Sequence, residues 1–522
     1  PFGDTAFALE AETGDDCPPA ISELRRQLLL TRLVMRYLSS TSGRASRPDA
    51  SPDQAARLAM ELARLLDQMQ TEGISFKALA GLVPDEHARH WRQTLDFLLI
   101  AREFWPRLLE EEGAVDPAVR RDRMLGDLCD RWTRTPPGRQ ITIAGSTGTV
   151  PATARLMAVV ARLPAGAVVL PGLDMAIDDA SWRAVGSDSA HPQHALSLLL
   201  KRLDVERPAV SSWLPNVVSP PESARTRLLR EAMRPAETTD RWRELSKSDI
   251  DPSALTGLTL IECASVQEES GVIALAMREA LETEAQTCAL ITPDRALARR
   301  VKSELRRWAI EVDDSAGQPL ADTPSFAFWR LTGAMVAGGL APVPLLAALK
   351  HPLARGGLAP GVFRRRVRLL ERLVLRGPRP RPGIDGLLSA LERETTDTAR
   401  RETINDGRAL VTWLGALAPT FRNFEATIAN PAIALQEILL VHNDLAESLA
   451  ATEWDDGTST IWAGDAGEQA AAFLADLYAV ARDWPEMNGG DYVALLDALL
   501  DDKVFRPQHG AHPRLAILGP LE

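Results

Sequence analysis

Cysteine is scarce in this 522-residue chain: Cys17, Cys129, Cys263 and Cys288 are scattered, with no C-x-x-C pair among them. That pattern argues against a disulfide scaffold and a thiolate zinc site, and it fits a reducing, cytoplasmic setting. No apolar run approaches the roughly 20 residues of a membrane-spanning helix, and no secretory signal is visible, so no membrane partner is expected. Missing too is any G-x-x-x-x-G-K-[ST] stretch, the loop that cradles nucleotide phosphates and supplies their lysine. Lysine itself is rare. Only six of the 59 basic residues are Lys, which a GC-rich genome is enough to explain. Against 71 acidic residues the formal net charge is −12. This does not exclude nucleic acid, because only the contacting groove must be basic.

What is present reads as an ordinary globular core, 45% hydrophobic and 25% charged, with a length suited to about two to four domains. The chain opens on Pro1 rather than Met and closes on Glu522 just after an apolar run. It is expected to be an internal piece of a longer protein. After a polar entry, helical spacing of apolar residues runs through 24–38, 52–70, 90–112 and 119–132, with Pro52 and Asp53 opening the second segment. The pattern changes at Gln140. Residues 141–144 read as a strand, Pro151 opens a helix, and 167–170 read as the next strand. Residues 181–250 mix helix and loop. Residues 258–264 then read as a buried strand, Ser265 as a helix cap with Glu268 completing a capping box, and 289–292 as a second strand. Asp294 caps a helix striped by Leu297, Val301 and Leu305, and 310–312 form a third strand ending in the turn Asp313-Asp314-Ser315. Residues 325–505 are again helical, broken by the Pro/Arg-rich loop 376–383, and 515–518 start a strand. The class is α/β, predominantly helical.

Each candidate site has a plainer reading beside it. Gly145, Ser146, Thr147 and Gly148 form a strand-to-helix turn whose amides could hold a phosphate, yet no Lys follows Gly148, and a tight turn suffices. A motor needs an Asp-Glu pair at a strand end to hold magnesium and orient water, but only Asp174 stands there. Asp249 with Asp251, and Asp501-Asp502-Lys503, are loose nuclease look-alikes that read better as surface turns. The pairs His87/His90, His191/His194 and His509/His512 have no further ligand in register. Pro192 instead suggests a helix start. Catalytic and metal residues are therefore not expected. From 355 to 381 there are nine Arg against one Glu, Glu371. Arg364, Arg365, Arg368 and Arg372 share a helical face, with Arg376 beyond them, while Phe363, Val367, Leu370 and Val374 line the other. Such a stripe can meet a DNA backbone; the alternative is a solvated helix face. Trp182, Trp213, Trp242 and Trp329 are core residues by default, or stacking platforms for bases.

The run I-x-V-D-D-S-x-G-x-P-L-x-x-T-P over 310–324, entered through strand, helix and a Pro-Asp turn, resembles the second motor domain of UvrD-like superfamily 1 helicases. It is most similar to the AddB family, the second subunits of AddAB helicase–nucleases. HPQHAL at 191–196 also recurs in that family. The closing HPRLAILGPLE falls where helicases carry Gly-Leu-Glu, here interrupted by Pro520. The resemblance implies two P-loop-like domains with large helical insertions. Their expected bounds are 1–139 and 140–255 for the first, then 256–324, an insertion at 325–510 and a return strand at 511–522. It implies a subunit that processes DNA double-strand ends, with ATP hydrolysis in an AddA-type partner. It places Mg2+ and an iron–sulfur cluster in a nuclease domain missing here, so no cofactor is expected within this sequence. It also implies scanning of single strands for a hotspot, with pocket walls at 145–149, Asp174 and 292–295, including Asp294 and Arg295. The rivals are a scaffold that only organises the partner motor, without touching DNA, and an active helicase with an unusual phosphate loop.

Overall fold

The structure, a computed structural model, describes residues 17–41, 51–76, 97–98, 101–213, 223–246, 250–397, 401–506 and 512–519. It is mostly helical with a few small sheets, as the α/β, predominantly helical expectation has it. In chain order the elements begin with α1 (Glu23–Thr41), α2 (Pro52–Glu72), α3 (Trp105–Glu111), α4 (Pro117–Arg134), β1 (Ile141–Ala144), α5 (Pro151–Val160) and β2 (Gly166–Val169). Next come α6 (Asp179–Val185), α7 (His194–Leu203), α8 (Ala224–Ala232), α9 (Val266–Ala280), β3 (Cys288–Ile291), α10 (Arg295–Arg306), β4 (Asp313–Asp314) and β5 (Gln318–Pro319). Then follow α11 (Pro324–Ala337), α12 (Pro342–Leu349), α13 (Pro360–Leu370), α14 (Ile384–Asp397), α15 (Arg401–Ile428) and α16 (Leu435–Ala450). The last are α17 (Thr458–Ile461), α18 (Gly464–Ala481), α19 (Tyr492–Leu500), β6 (Val504–Phe505) and β7 (Leu515–Leu518). No helix among the described residues is long and apolar enough to cross a membrane. The chain divides into two compact units: Pro1–Ile21 with Leu62–Ile261, and Ser22–Glu61 with Glu262–Glu522. Residues 22–61, expected within the block 1–139, belong to the second.

In the first unit β1 and β2 pair in parallel, from Ile141 opposite Gly166 to Ala144 opposite Val169, with α5 as the crossover. Pro151 opens α5, where its missing N–H costs nothing and its fixed φ already suits a helix. Met157 of α5 meets Leu196, Leu199 and Leu203 of α7, while Val160 meets Leu128 and Trp132 of α4. The turn before α5 needs glycine at 148: φ is +63°, and a Cβ there would lie 2.8 Å from Leu199 Cδ1.

In the second unit β7 inserts between β3 and β4, all parallel. Leu297, Val301 and Leu305 of α10 pack with Met277 of α9 against Leu515, Ile517 and Val312. Both expected caps form. Asp294 Oδ1 accepts from the amides of Ala296 (2.8 Å) and Leu297 (3.1 Å). Ser265 Oγ accepts from Glu268 N (3.2 Å), while the Glu268 carboxylate accepts from Ala264 N (2.8 Å), one residue before the usual capping-box donor. Two strand expectations need correction. Residues 258–264 form no strand, and Leu260 is 88% exposed. β-propensity without a neighbouring ladder makes an extended segment, not a sheet. The third strand is Asp313–Asp314, not 310–312. Ile310 N is spent on the Leu305 carbonyl at the end of α10, so pairing with β7 starts only at Asp313.

The helical body of this unit is organised around a buried imidazole. His442 is stacked between Trp329 (4.1 Å between ring centres) and Phe424 (4.8 Å). Nδ1 lies 2.9 Å from Tyr492 Oη, and Nε2 lies 2.9 Å from the Trp329 carbonyl and 3.0 Å from Thr332 Oγ1. A neutral ring with the proton on Nε2 satisfies all of them: Nε2–H donates to the carbonyl, and the Tyr492 hydroxyl donates to Nδ1. Burial pushes the His442 pKa down to about 3, although the Trp329 carbonyl favours the proton. In the unfolded chain a histidine protonates near about 6.5. Between those values the unfolded state binds the extra proton, so stability falls as pH drops through that window. Urea titrations are expected to show it, with a limiting slope from this group of about 1.4 kcal/mol per pH unit below about pH 6.5. His442→Phe, which keeps the stacking, is expected to flatten it.

Candidate nucleic-acid interface

The basic stripe expected from sequence forms a helix, and the helix has the expected two faces. Pro360 occupies the first position of α13. Phe363, Val367, Leu370 and Val374 are buried in the helical body, and Phe363 meets Trp413 edge-on at 5.7 Å. At Glu371–Leu375 the helix widens into a π turn, which keeps Val374 and Leu375 both inside. Arg364, Arg365, Arg368, Arg372 and Arg376 are left exposed.

These arginines border a concavity of about 1000 Å³ that is also lined by Lys350, His351, Arg366, Glu371 and Asp406. Its charge is unbalanced. Glu371 is already engaged, 2.6 Å from Lys350 Nζ and 3.1 Å from Arg376 Nη2. Lys350 first, then Arg376, hold its carboxyl below the usual range. Arg364, Arg365, Arg366, Arg368 and Arg372 show no hydrogen bond or ion pair among the described residues. His351 adds no charge: its ring stacks on Phe328 at 5.2 Å, and burial lowers its pKa. Five guanidinium groups within nine residues repel one another, and each presents a planar fork suited to phosphate or carboxylate oxygens. The arrangement favours an extended anion.

The strand-end loops are, by contrast, largely occupied by their own chain. In the first unit Gly145 N donates to the Val169 carbonyl (3.2 Å), and Gly148 N donates to Ser146 Oγ (3.2 Å). Thr147 sits half-buried between them. Asp174 accepts from Arg230 Nε at 2.8 and 3.1 Å and from the amides of Ala176 and Ile177, while its own amide donates to Gln193. In the second unit Asp294 is spent as a cap, and Arg295 pairs with the buried Asp314 at 2.8 Å. Gly317, in the signature run, has φ +69°, and a Cβ would lie 2.4 Å from the Phe505 carbonyl where β5 meets β6. Gly145, Ser146, Thr147, Gly148 and Asp174 thus belong to one unit, Asp294 and Arg295 to the other.

The remaining candidates resolve into structural roles where they are described. His191 Nε2 and His194 Nδ1 lie 2.8 Å from the carbonyls of Met233 and Val185. α7 starts at His194, so Pro192 lies in the preceding turn and not in the helix. Asp501 pairs with Arg57 and Lys503 with Glu23; Asp251 caps Ser253. His87, His90, Asp249 and His509 lie outside the described residues, and no group of three His, Cys, Asp or Glu among the described residues is placed to hold a metal. Trp329 is core, and Trp182 lies half-buried under Arg207. Trp213 and Trp242 are exposed, contrary to the core expectation; Trp242 has its indole N–H satisfied by the Glu231 carbonyl. Sequence spacing missed Lys350 and Arg366 at the concavity, and also Trp454, which is 92% exposed on a turn with no periodic signal. The chain matches no protein-family model, and no curated protein matches it.

Because the single charge of Glu371 is shared between Lys350 and Arg376 and offsets one unit of the surrounding positive charge, Glu371→Gln is expected to leave the fold intact and raise affinity for a polyanion such as a single-stranded oligonucleotide. The gain is about two- to fivefold at low salt, shrinking as salt screens it. Fluorescence anisotropy of a labelled oligonucleotide measures it.

Proposed function

We propose that this chain binds the phosphate backbone of DNA in the arginine concavity, as a non-hydrolysing, helicase-like subunit of a helicase–nuclease that processes double-strand ends. The observation that carries the binding is the set of five unpaired guanidinium groups around one concavity. The family part rests on the 310–324 run. Two small parallel sheets, each with a helix packed on it, are in keeping with remnants of two P-loop-like domains. On the resemblance, ATP turnover would lie in an AddA-type partner, and this sequence carries no G-x-x-x-x-G-K-[ST] loop. The occupied strand-end loops make the expected hotspot-reading walls poor binding surfaces in the arrangement described, so contact with DNA is assigned to the concavity.

Binding of this kind is electrostatic and depends on counterion release. For single strands, log K falls with log salt with a slope of about −0.7 per phosphate contact. Arg364→Ala/Arg365→Ala/Arg368→Ala is expected to weaken binding at least about tenfold at low salt and to flatten the slope by about 2. Unchanged affinity and slope would overturn the assignment. No DNA binding even at low salt, with tight binding to a partner motor, would favour the scaffold. ATP turnover by the isolated chain, lost on changing Gly148, would restore a motor.

A further inference from the structure

Arg376, the last arginine lining the concavity, is also the first residue of the Pro/Arg-rich loop 376–383. That loop carries two more arginines, Arg379 and Arg381, both exposed. Its path is set by contacts at the two ends of α12. At the C-terminal end Lys350 pairs with Glu371 at 2.6 Å. Just before the N-terminal end, the Gly338 carbonyl accepts from Arg379 Nη2 (3.3 Å) and the Gly339 carbonyl from Gly383 N (3.2 Å). The chain from Glu371 to Gly383 therefore runs along α12, which is eight residues long, or about 12 Å. The row of arginines continues past the concavity in that direction.

The loop is stiff, and its charge is unanswered. Arg379 precedes Pro380 and Arg381 precedes Pro382. Each proline fixes its own φ and keeps the residue before it extended. Both arginines thus stand on backbone that loses little further freedom when a ligand binds. The Arg381 guanidinium makes no hydrogen bond or ion pair among the described residues, and that of Arg379 makes only the one to Gly338. Acids at the far end of the loop are engaged: Asp385 pairs with Arg422 at 2.7 Å, and Glu425 Oε1 accepts from Ile384 N at 2.8 Å. From 364 to 381 there are eight Arg against Glu371 alone, and the charge of Glu371 is shared between Lys350 and Arg376. A row of one sign on an extended path matches a ligand whose opposite charges also repeat along a line.

We infer that the loop 376–383 is a second contact segment for single-stranded DNA, with Arg379 and Arg381 taking phosphates of a strand that has left the concavity along α12. This contact presupposes DNA in the concavity, and it gives the site a dependence on length. Short strands occupy the concavity alone, whereas longer ones also reach the loop.

The test uses the full chain and oligo(dT) of about four and about sixteen nucleotides, the span of common single-strand site sizes, with affinity read by fluorescence anisotropy over a salt series. Comparing variants on the same oligonucleotide removes the advantage that a longer strand gains from offering more registers. Arg379→Ala/Arg381→Ala is expected to weaken the longer strand at least about threefold at low salt and to flatten its slope by about 1.4, two contacts at about 0.7 each. The shorter strand is expected to bind as before, and lysine at both positions to restore most of the loss. Equal weakening of both strands would show only a general positive field and overturn the inference. An unchanged longer strand, with Arg364→Ala/Arg365→Ala/Arg368→Ala still weakening it, would overturn the loop contact and leave the concavity standing. Failure of the unaltered chain to bind either strand would overturn both.

Discussion

Burial of one apolar seam fixes the character of the second unit's surface. Phe363, Val367, Leu370 and Val374 follow helical spacing, and all four are taken into the helical body. Once they are inside, the same helix must turn Arg364, Arg365, Arg368 and Arg372 outward. Stability and surface charge are therefore coupled: the residues that anchor α13 also aim its cations. Counter-charge is scarce beside them, because Glu371 is already shared between Lys350 and Arg376. A chain with a net charge of −12 thereby keeps a local positive field, and attraction of a polyanion depends on that local field.

The small parallel sheets have a different role. In open α/β sheets, ligands gather at the carboxyl ends of the strands. Here those loops are closed by their own residues: Asp174 by Arg230, Arg295 by Asp314, and the Gly148 amide by Ser146. The polar letters of the 313–324 run, which read as a functional signature, mostly secure the chain's path. Asp314 receives Arg295, and Gly317 lets β5 approach β6.

Elements whose information is local were legible in the sequence. Pro151 and Pro52 open helices, Asp294 and Ser265 cap them, and strands 141–144 and 515–518 have the expected bounds. Errors arose where the outcome depends on a distant neighbour. Residues 258–264 have strand composition but no described partner strand. Residues 310–312 lost their first amide to α10, and the strand between β3 and β4 comes from some 200 residues further along the chain. The arginine face was legible from spacing; the concavity was not, since Lys350 and Asp406 reach it from other helices.

Contact with DNA is proposed to lie on α13 and its π turn rather than on the strand-end loops. Photo-crosslinking of single-stranded DNA bearing photoreactive bases to the whole chain, followed by mapping of the modified peptides, tests it most directly. Crosslinks concentrated in 360–381 and suppressed by high salt are the expected result. Crosslinks confined to 145–149 and 292–295, or none at low salt, would contradict it.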